Sequence, residues 1–276
     1  MERAAYADPV YLMGHSAEEH ERLIQQAGIF APFTARFLRE AGIAPGMRVL
    51  DVGCGVGDVS ILCAGLVQPR GTVVGVDRDA AAIGRARERA ATMGLRDVSF
   101  LEADYRELNA MEPFDAVVGR AVLMYAADPA AAIRSLLPHL RPGGIVALQE
   151  FDYTSLIAYP PSDLFGQIAG WWRRAAGKAG IELQMGYKLF STYRAAGLPA
   201  PALQADTIIG GGPDFAGYAY LADIFRSILP LLESLGIATA EEVDVETLEA
   251  RLRHDRVANG GVFGLQMLVS AAARKP

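Results

Sequence analysis

Cysteine is almost missing: Cys54 and Cys63 are the only two in 276 residues. Two cysteines build neither a disulfide framework nor a zinc ligand set, so a reducing, intracellular setting is expected. Lysine is as scarce, with Lys178, Lys188 and Lys275 set against many arginines in an alanine-rich chain. That bias reads as the codon usage of a GC-rich genome. Positive charge is not in excess either. The net charge of −6 argues against DNA or RNA as a partner, because neutralising phosphates needs a basic surface. Long apolar runs are lacking; the best, around Val117 to Ile133, is broken by Arg120 and Asp128. The opening Met1-Glu2-Arg3-Ala4-Ala5-Tyr6 has no apolar signal-peptide core. A cytoplasmic protein without membrane contact, monomeric or homodimeric, is therefore expected. No internal repeat or low-complexity linker interrupts it.

What is present is ample core material, 51% apolar against 21% charged. From Ser16 to Ala41 the pattern is helical, with Ser16 and Glu19 spaced as a capping box. Apolar stretches at Met47–Val52, Thr72–Val76, Val98–Leu101, Phe114–Val118 and Ile145–Gln149 alternate with helical stripes such as Val59, Leu62, Cys63 and Leu66. This order implies a parallel sheet covered by helices on both faces. Beyond Glu150 the rhythm changes. Helices are expected through Trp171-Trp172, over Leu189–Ala196, Asp214–Leu235 and Val245–Asn259, with strands at Leu203–Ile209 and Val262–Ser270. The fold class is α/β: one doubly wound, Rossmann-like domain. Residues 1–45 form a helical N-terminal lid, 46–151 the cofactor-binding half, and 152–276 the substrate side with helical insertions and the final strands.

The most informative stretch is Val49-Leu50-Asp51-Val52-Gly53-Cys54-Gly55-Val56-Gly57. It joins a buried strand to a helix through three glycines, which tolerate positive φ and let a ligand lie on bare backbone. Asp77 ends the next strand, placed to accept both hydroxyls of a ribose, and Asp104 follows the third, within reach of an adenine amine. A nicotinamide dinucleotide site usually shows G-x-G-x-x-G; here the spacing is G-x-G-x-G after Asp51. S-adenosylmethionine needs no pyrophosphate cradle, and its positive charges suit Asp51, Asp77 and Asp104. Taken singly, the glycines could form a bare turn, Asp77 a helix cap and Asp104 a loop residue. Cys63 falls on the core stripe and Cys54 fills space between glycines.

Five segments, in order, resemble the class I S-adenosylmethionine-dependent methyltransferases, small-molecule branch: Val49–Gly57, Gly75-Val76-Asp77, Ala103-Asp104, Phe114–Val118 and Leu140–Gly144. The resemblance covers Val49 to Glu150. It implies a seven-stranded sheet whose last strand is antiparallel. It places Gly53 and Gly55 at the methionine end, Asp77 at the ribose, and Asp104 with Tyr105 at the adenine, with Cys54, Arg78 and Ala103 among the cofactor-binding residues. Arg120 and Ala121 would flank the methionine moiety and sulfonium, and Tyr11 and Gln26 would reach the cofactor from the lid.

The second half carries no such motif. Gly119-Arg120-Ala121-Val122 stands where DNA amino-methylating enzymes carry an Asn-Pro-Pro-Tyr tetrad. Pro-Cys pairs, paired arginine-methylating glutamates and a metal-binding carboxylate set are not evident. Phe165, Trp171, Trp172, Tyr187, Phe190, Tyr218, Tyr220 and Phe225 could pack helices together or line a cavity for a flat, apolar acceptor. Glu150, Asp152 and His15 are the candidates for a general base; His139 and His254 read as structural or solvated. The expected activity is methyl transfer to oxygen or nitrogen of a small molecule of secondary metabolism. The alternatives are a cyclase or isomerase that binds the same cofactor, a nicotinamide-dependent oxidoreductase, and an interaction module.

Overall fold

The computed structural model describes residues 17–108 and 111–276, so Tyr11, His15 and the expected Ser16 cap lie outside the described residues. Strands β1 (Arg48–Val52), β2 (Thr72–Asp77), β3 (Val98–Glu102), β4 (Phe114–Arg120) and β5 (Leu140–Asp152) follow the expected order. With β10 (Met267–Arg274) and β7 (Ala202–Asp206) they form a seven-stranded sheet ordered β3-β2-β1-β4-β5-β10-β7. The first five strands run parallel, and β10 lies antiparallel to both β5 and β7. Its central strands are apolar on both faces, as a sheet sandwiched by helices demands: Val49, Leu50, Val117 and Val118 are fully buried.

Helices α1 (Ala17–Ala41), α2 (Asp58–Val67), α3 (Ala80–Thr92) and α4 (Pro129–Leu136) belong to the first half. Their starts are chemically marked. The Asp79 carboxylate accepts from the N–H groups of Ala81 and Ala82, and Asp128 accepts from Ala131, with Pro129 opening α4. The second half adds α5 (Asp163–Lys178), α6 (Met185–Ala195), α7 (Gly217–Ser234), α8 (Ala240–Val243) and α9 (Val245–Ala258). Helix α6 is pinned beneath the sheet by Tyr193, whose buried hydroxyl donates to the Ala271 carbonyl at 2.8 Å and accepts from the Leu148 N–H at 3.2 Å.

Two expected strands are each cut in two. Leu203–Ile209 becomes β7 and β8 (Ile209–Gly211), and Val262–Ser270 becomes β9 (Val262–Gly264) and β10. With β6 (Ile157–Tyr159) they make a second, three-stranded sheet ordered β6-β9-β8. That order repeats β5-β10-β7, so the small sheet is the edge of the large one bent over. On the β7–β8 side the bend is a bulge. Leu268 faces Asp206 and Gly264 faces Ile209, so three residues (265–267) oppose two (207–208). An unequal count bends and twists a strand pair, and hydropathy along one strand carries no trace of it.

Candidate active site

The carboxyl ends of β1 to β5 converge on a cavity of about 220 Å³. Of the residues expected around a cofactor, Gln26, Gly53, Cys54, Gly55, Asp77, Arg78, Ala103, Asp104, Tyr105, Arg120 and Ala121 all line it. The glycines divide the work. All three have positive φ, at 60°, 51° and 85° for Gly53, Gly55 and Gly57. A Cβ on Gly53 would stand 2.8 Å from Val122 and one on Gly57 3.0 Å from Phe100, so these two serve packing. A Cβ on Gly55 would meet no protein atom within 4 Å. Since Gly55 lines the cavity, that space belongs to whatever fills it.

Gly55→Val is therefore expected to weaken binding of S-adenosylhomocysteine at least about tenfold. The strain of a β-branched residue at positive φ should cost only about 1–3 kcal/mol of stability. Calorimetric titration beside thermal unfolding checks both; unchanged affinity would mean that the cavity's contents avoid the loop.

The Asp77 carboxylate accepts from the Gly55 N–H at 2.8 Å and from the Asp79 N–H at 2.9 Å. Each oxygen keeps lone-pair capacity for another donor. Asp51 differs from expectation, for it does not line the cavity. It lies buried beneath the loop, accepts from the Ser60 hydroxyl at 2.6 Å, and leaves its second oxygen without a partner. Burial pushes its carboxyl up to about 7, against the hydrogen bond from Ser60. Asp104 reaches the cavity but is already engaged. Arg106 donates to its Oδ1 from both N and Nε, each at 2.9 Å, and pairs with Oδ2 through Nη2. These bonds hold the Asp104 carboxyl below the usual range, so an adenine amine would share an occupied carboxylate. Arg120 donates to the Thr34 hydroxyl at 3.1 Å and feels the charges of Asp58 and Asp51.

Glu150 is placed where it serves the backbone. Fully buried, it does not line the cavity; Oε1 accepts from the N–H groups of Val122 and Leu123 at 3.0 and 2.7 Å, and Oε2 from Met124 at 3.3 Å. Burial raises its carboxyl to about 7 in spite of these donors. The turn it grips begins at Ala121, a non-glycine residue at φ 57°. Such a conformation persists only where its surroundings over-determine it, and the three bonds to Glu150 do so. Asp152 is buried as well and absent from the lining, its Oδ1 taken by the Thr154 N–H and hydroxyl. Neither acid is presented as a base. His139 and His254 lie away from the cavity.

Of the aromatic residues read from the sequence, Trp172 and Tyr220 line the cavity, whereas Tyr187 and Phe190 are exposed. Phe165 and Phe225 line a smaller apolar recess of about 20 Å³ whose wall shares Tyr153, Trp172 and Ile224 with the main cavity. Trp171 packs on Phe225, and Tyr218 on Phe215 and Phe263. Residues missed in the sequence include Arg22, Asp58, Asp79, Tyr125, Phe151 and Tyr153. The signal for Phe151 and Tyr153 was their place at the end of β5, the same argument that singled out their acidic neighbours. Among the described residues, no helix is long and apolar enough to cross a membrane, and no His, Cys, Asp and Glu group could hold a metal.

Residues 43–173 match a family model described as a methyltransferase domain. A similar curated protein is trans-aconitate 2-methyltransferase of an Azoarcus species, 38% identical over 129 residues, which cover 44% of this chain and 48% of that protein. The chain thus aligns with about half the length of such relatives. Phosphoethanolamine N-methyltransferase 2 of Haemonchus contortus superposes with a TM-score of 0.55 at 17% identity, covering 89% of this chain and 52% of that one. A cyclase superposes with a TM-score of 0.51 at 21% identity, covering 89% and 81%. At these identities the superpositions show a shared fold.

Proposed function

We infer the activity from likeness: residues 43–173 match a methyltransferase domain, and we propose that the chain is a class I, S-adenosylmethionine-dependent methyltransferase acting on oxygen or nitrogen of a small, apolar or aromatic molecule. The observation that carries this is the cavity itself, lined by carboxylates after β1, β2 and β3 and by aromatic residues after β4 and β5. The donor set suits the cofactor. Asp77 has lone pairs left for the ribose hydroxyls, Gly55 leaves room above its Cα, and the Asp77 charge favours a positive ligand. Arg120 offers a cation for the methionine carboxylate. Bound there, S-adenosylmethionine supplies a methyl group on a sulfonium. The protein's share is then to orient an acceptor against that methyl and to exclude water, and positioning alone lowers such barriers strongly.

The fold, shared with a cyclase as well as with methyltransferases, does not choose between them. Incubation with S-adenosylmethionine and a library of small acids, phenols and amines is expected to yield S-adenosylhomocysteine in step with a methylated product. Consumption of an acceptor without S-adenosylhomocysteine would establish the cyclase or isomerase reading instead.

A further inference from the structure

The small recess adjoins the main cavity, and Tyr153, Trp172 and Ile224 line both spaces. Ile168 and Ala169 of α5 and Leu221 and Phe225 of α7 make its apolar wall, while Gln266 there donates its amide N–H to the Tyr220 hydroxyl. Two polar groups at the boundary between the spaces are left over. Trp172 is buried to 6% exposure, and its indole Nε1–H has no hydrogen-bond partner. The Tyr153 hydroxyl has none among the described residues either. The two rings lie against each other with centroids 4.9 Å apart. The Tyr153 backbone is fixed by its N–H, which donates to the Leu183 carbonyl at 2.9 Å.

Folded proteins leave few such groups, because a buried donor that has given up water and found no acceptor is destabilising. Burial also raises the Tyr153 phenol well above its ordinary range, so it keeps its proton and can donate. Two donors on adjoining rings suit a carbonyl oxygen, which has a lone pair for each and no proton of its own to place. The recess beyond them sets a size. At about 20 Å³ it has room for about one or two carbon atoms, and its apolar wall gives a water few partners.

Resting on the transferase reading, we propose that the recess is the far end of the acceptor site and that the acceptor is an aromatic molecule carrying a short acyl group. The ring lies in the main cavity with the atom to be methylated. The acyl carbonyl is held at the boundary by the Trp172 indole N–H and the Tyr153 hydroxyl, and the acyl tip fills the recess. Trp172 and Tyr153 then determine specificity by what they bind, away from the reacting atom, and Ala169 and Ile168 set the length of the tip.

The test titrates acetophenone, propiophenone, butyrophenone and valerophenone into protein saturated with S-adenosylhomocysteine. Affinity is expected to rise about threefold to fivefold from acetophenone to propiophenone, as one more methylene is buried, and to fall again by valerophenone. Propylbenzene, the propiophenone skeleton without its oxygen, should bind about threefold to tenfold more weakly, and Trp172→Phe should cost propiophenone the same. The indole N–H resonance of Trp172, identified by its loss in that variant, should move downfield with propiophenone and not with propylbenzene. Ala169→Leu fills the recess and should abolish the gain from the second carbon, with S-adenosylhomocysteine affinity within about twofold of wild type. Ile168→Val, a milder change that widens the recess by one methyl, should shift the optimum to butyrophenone. Affinity that climbs steadily to valerophenone, propylbenzene binding as tightly as propiophenone, a motionless indole resonance, or no binding of any ketone would overturn the proposal. Wild-type protein that cannot bind S-adenosylhomocysteine would instead sink the transferase reading, a separate and visible failure.

Discussion

Replacing Asp77 with alanine is expected to lower affinity for S-adenosylhomocysteine on the order of 100-fold. Two contributions add. The ribose loses its carboxylate, each charge-assisted hydrogen bond being worth roughly 1.5–3 kcal/mol. The Gly55 N–H also loses the oxygen that ties the glycine loop to the end of β2. Asp77→Asn separates the two effects. Its remaining carbonyl oxygen can still accept from Gly55, so the loop should stay in place while the ribose contact weakens. The expected order is wild type, then asparagine, then alanine, read by calorimetry. Full affinity in the alanine variant would place the ribose elsewhere.

Glu150→Ala should cost stability on the order of 3–6 kcal/mol, because three buried N–H groups lose their acceptor together. It should also loosen the Ala121–Met124 turn, whose Val122 packs on Gly53, and so reduce cofactor binding. The same residue gives a pH dependence. A carboxyl whose folded pKa is raised to about 7 from an ordinary 4.5 holds its proton more tightly in the folded state. Its contribution is complete below about pH 4.5 and is lost as the pH rises through about 7; Asp51, raised to about 7 from 3.8, acts in the same direction. Stability should therefore fall between about pH 5 and pH 7.5, by about 2–3 kcal/mol per group. Denaturant unfolding at both ends of that range checks this. Glu150→Gln, which cannot ionise, should remove about half of the slope and leave the share of Asp51; an unchanged slope would assign the whole effect to Asp51.

The first half of the chain was legible because its chemistry is local. Gly53, Gly55 and Asp77 lie at strand ends, where the period of the sheet fixes their direction, and they meet in one cavity. Asp51 misled because alternation along β1 cannot distinguish a carboxylate facing the ligand from one supporting the loop; only the Ser60 contact from α2 decides it. Glu150 misled for a related reason. Position at the end of β5 says that a side chain is near the cavity, but its three partners come from the turn after β4, across the sheet. Arg22 was hidden among the charges of α1, where nothing in the helical spacing marks it as buried. The sequence through Trp171 and Trp172 reads as helix but does not tell which of the two buried rings lines the cavity.

The bulge at 265–267 has a further consequence for how the molecule opens. Because the Leu265 N–H donates to the Ile208 carbonyl at 2.9 Å, hydrogen bonding runs through the bend from one sheet into the other. The amides of β9 and β8 should then exchange with solvent deuterium as part of the same cooperative unit as β10 and β7. A sheet edge tied to the main sheet in this way does not swing on its own; the two sheets open as one body or not at all.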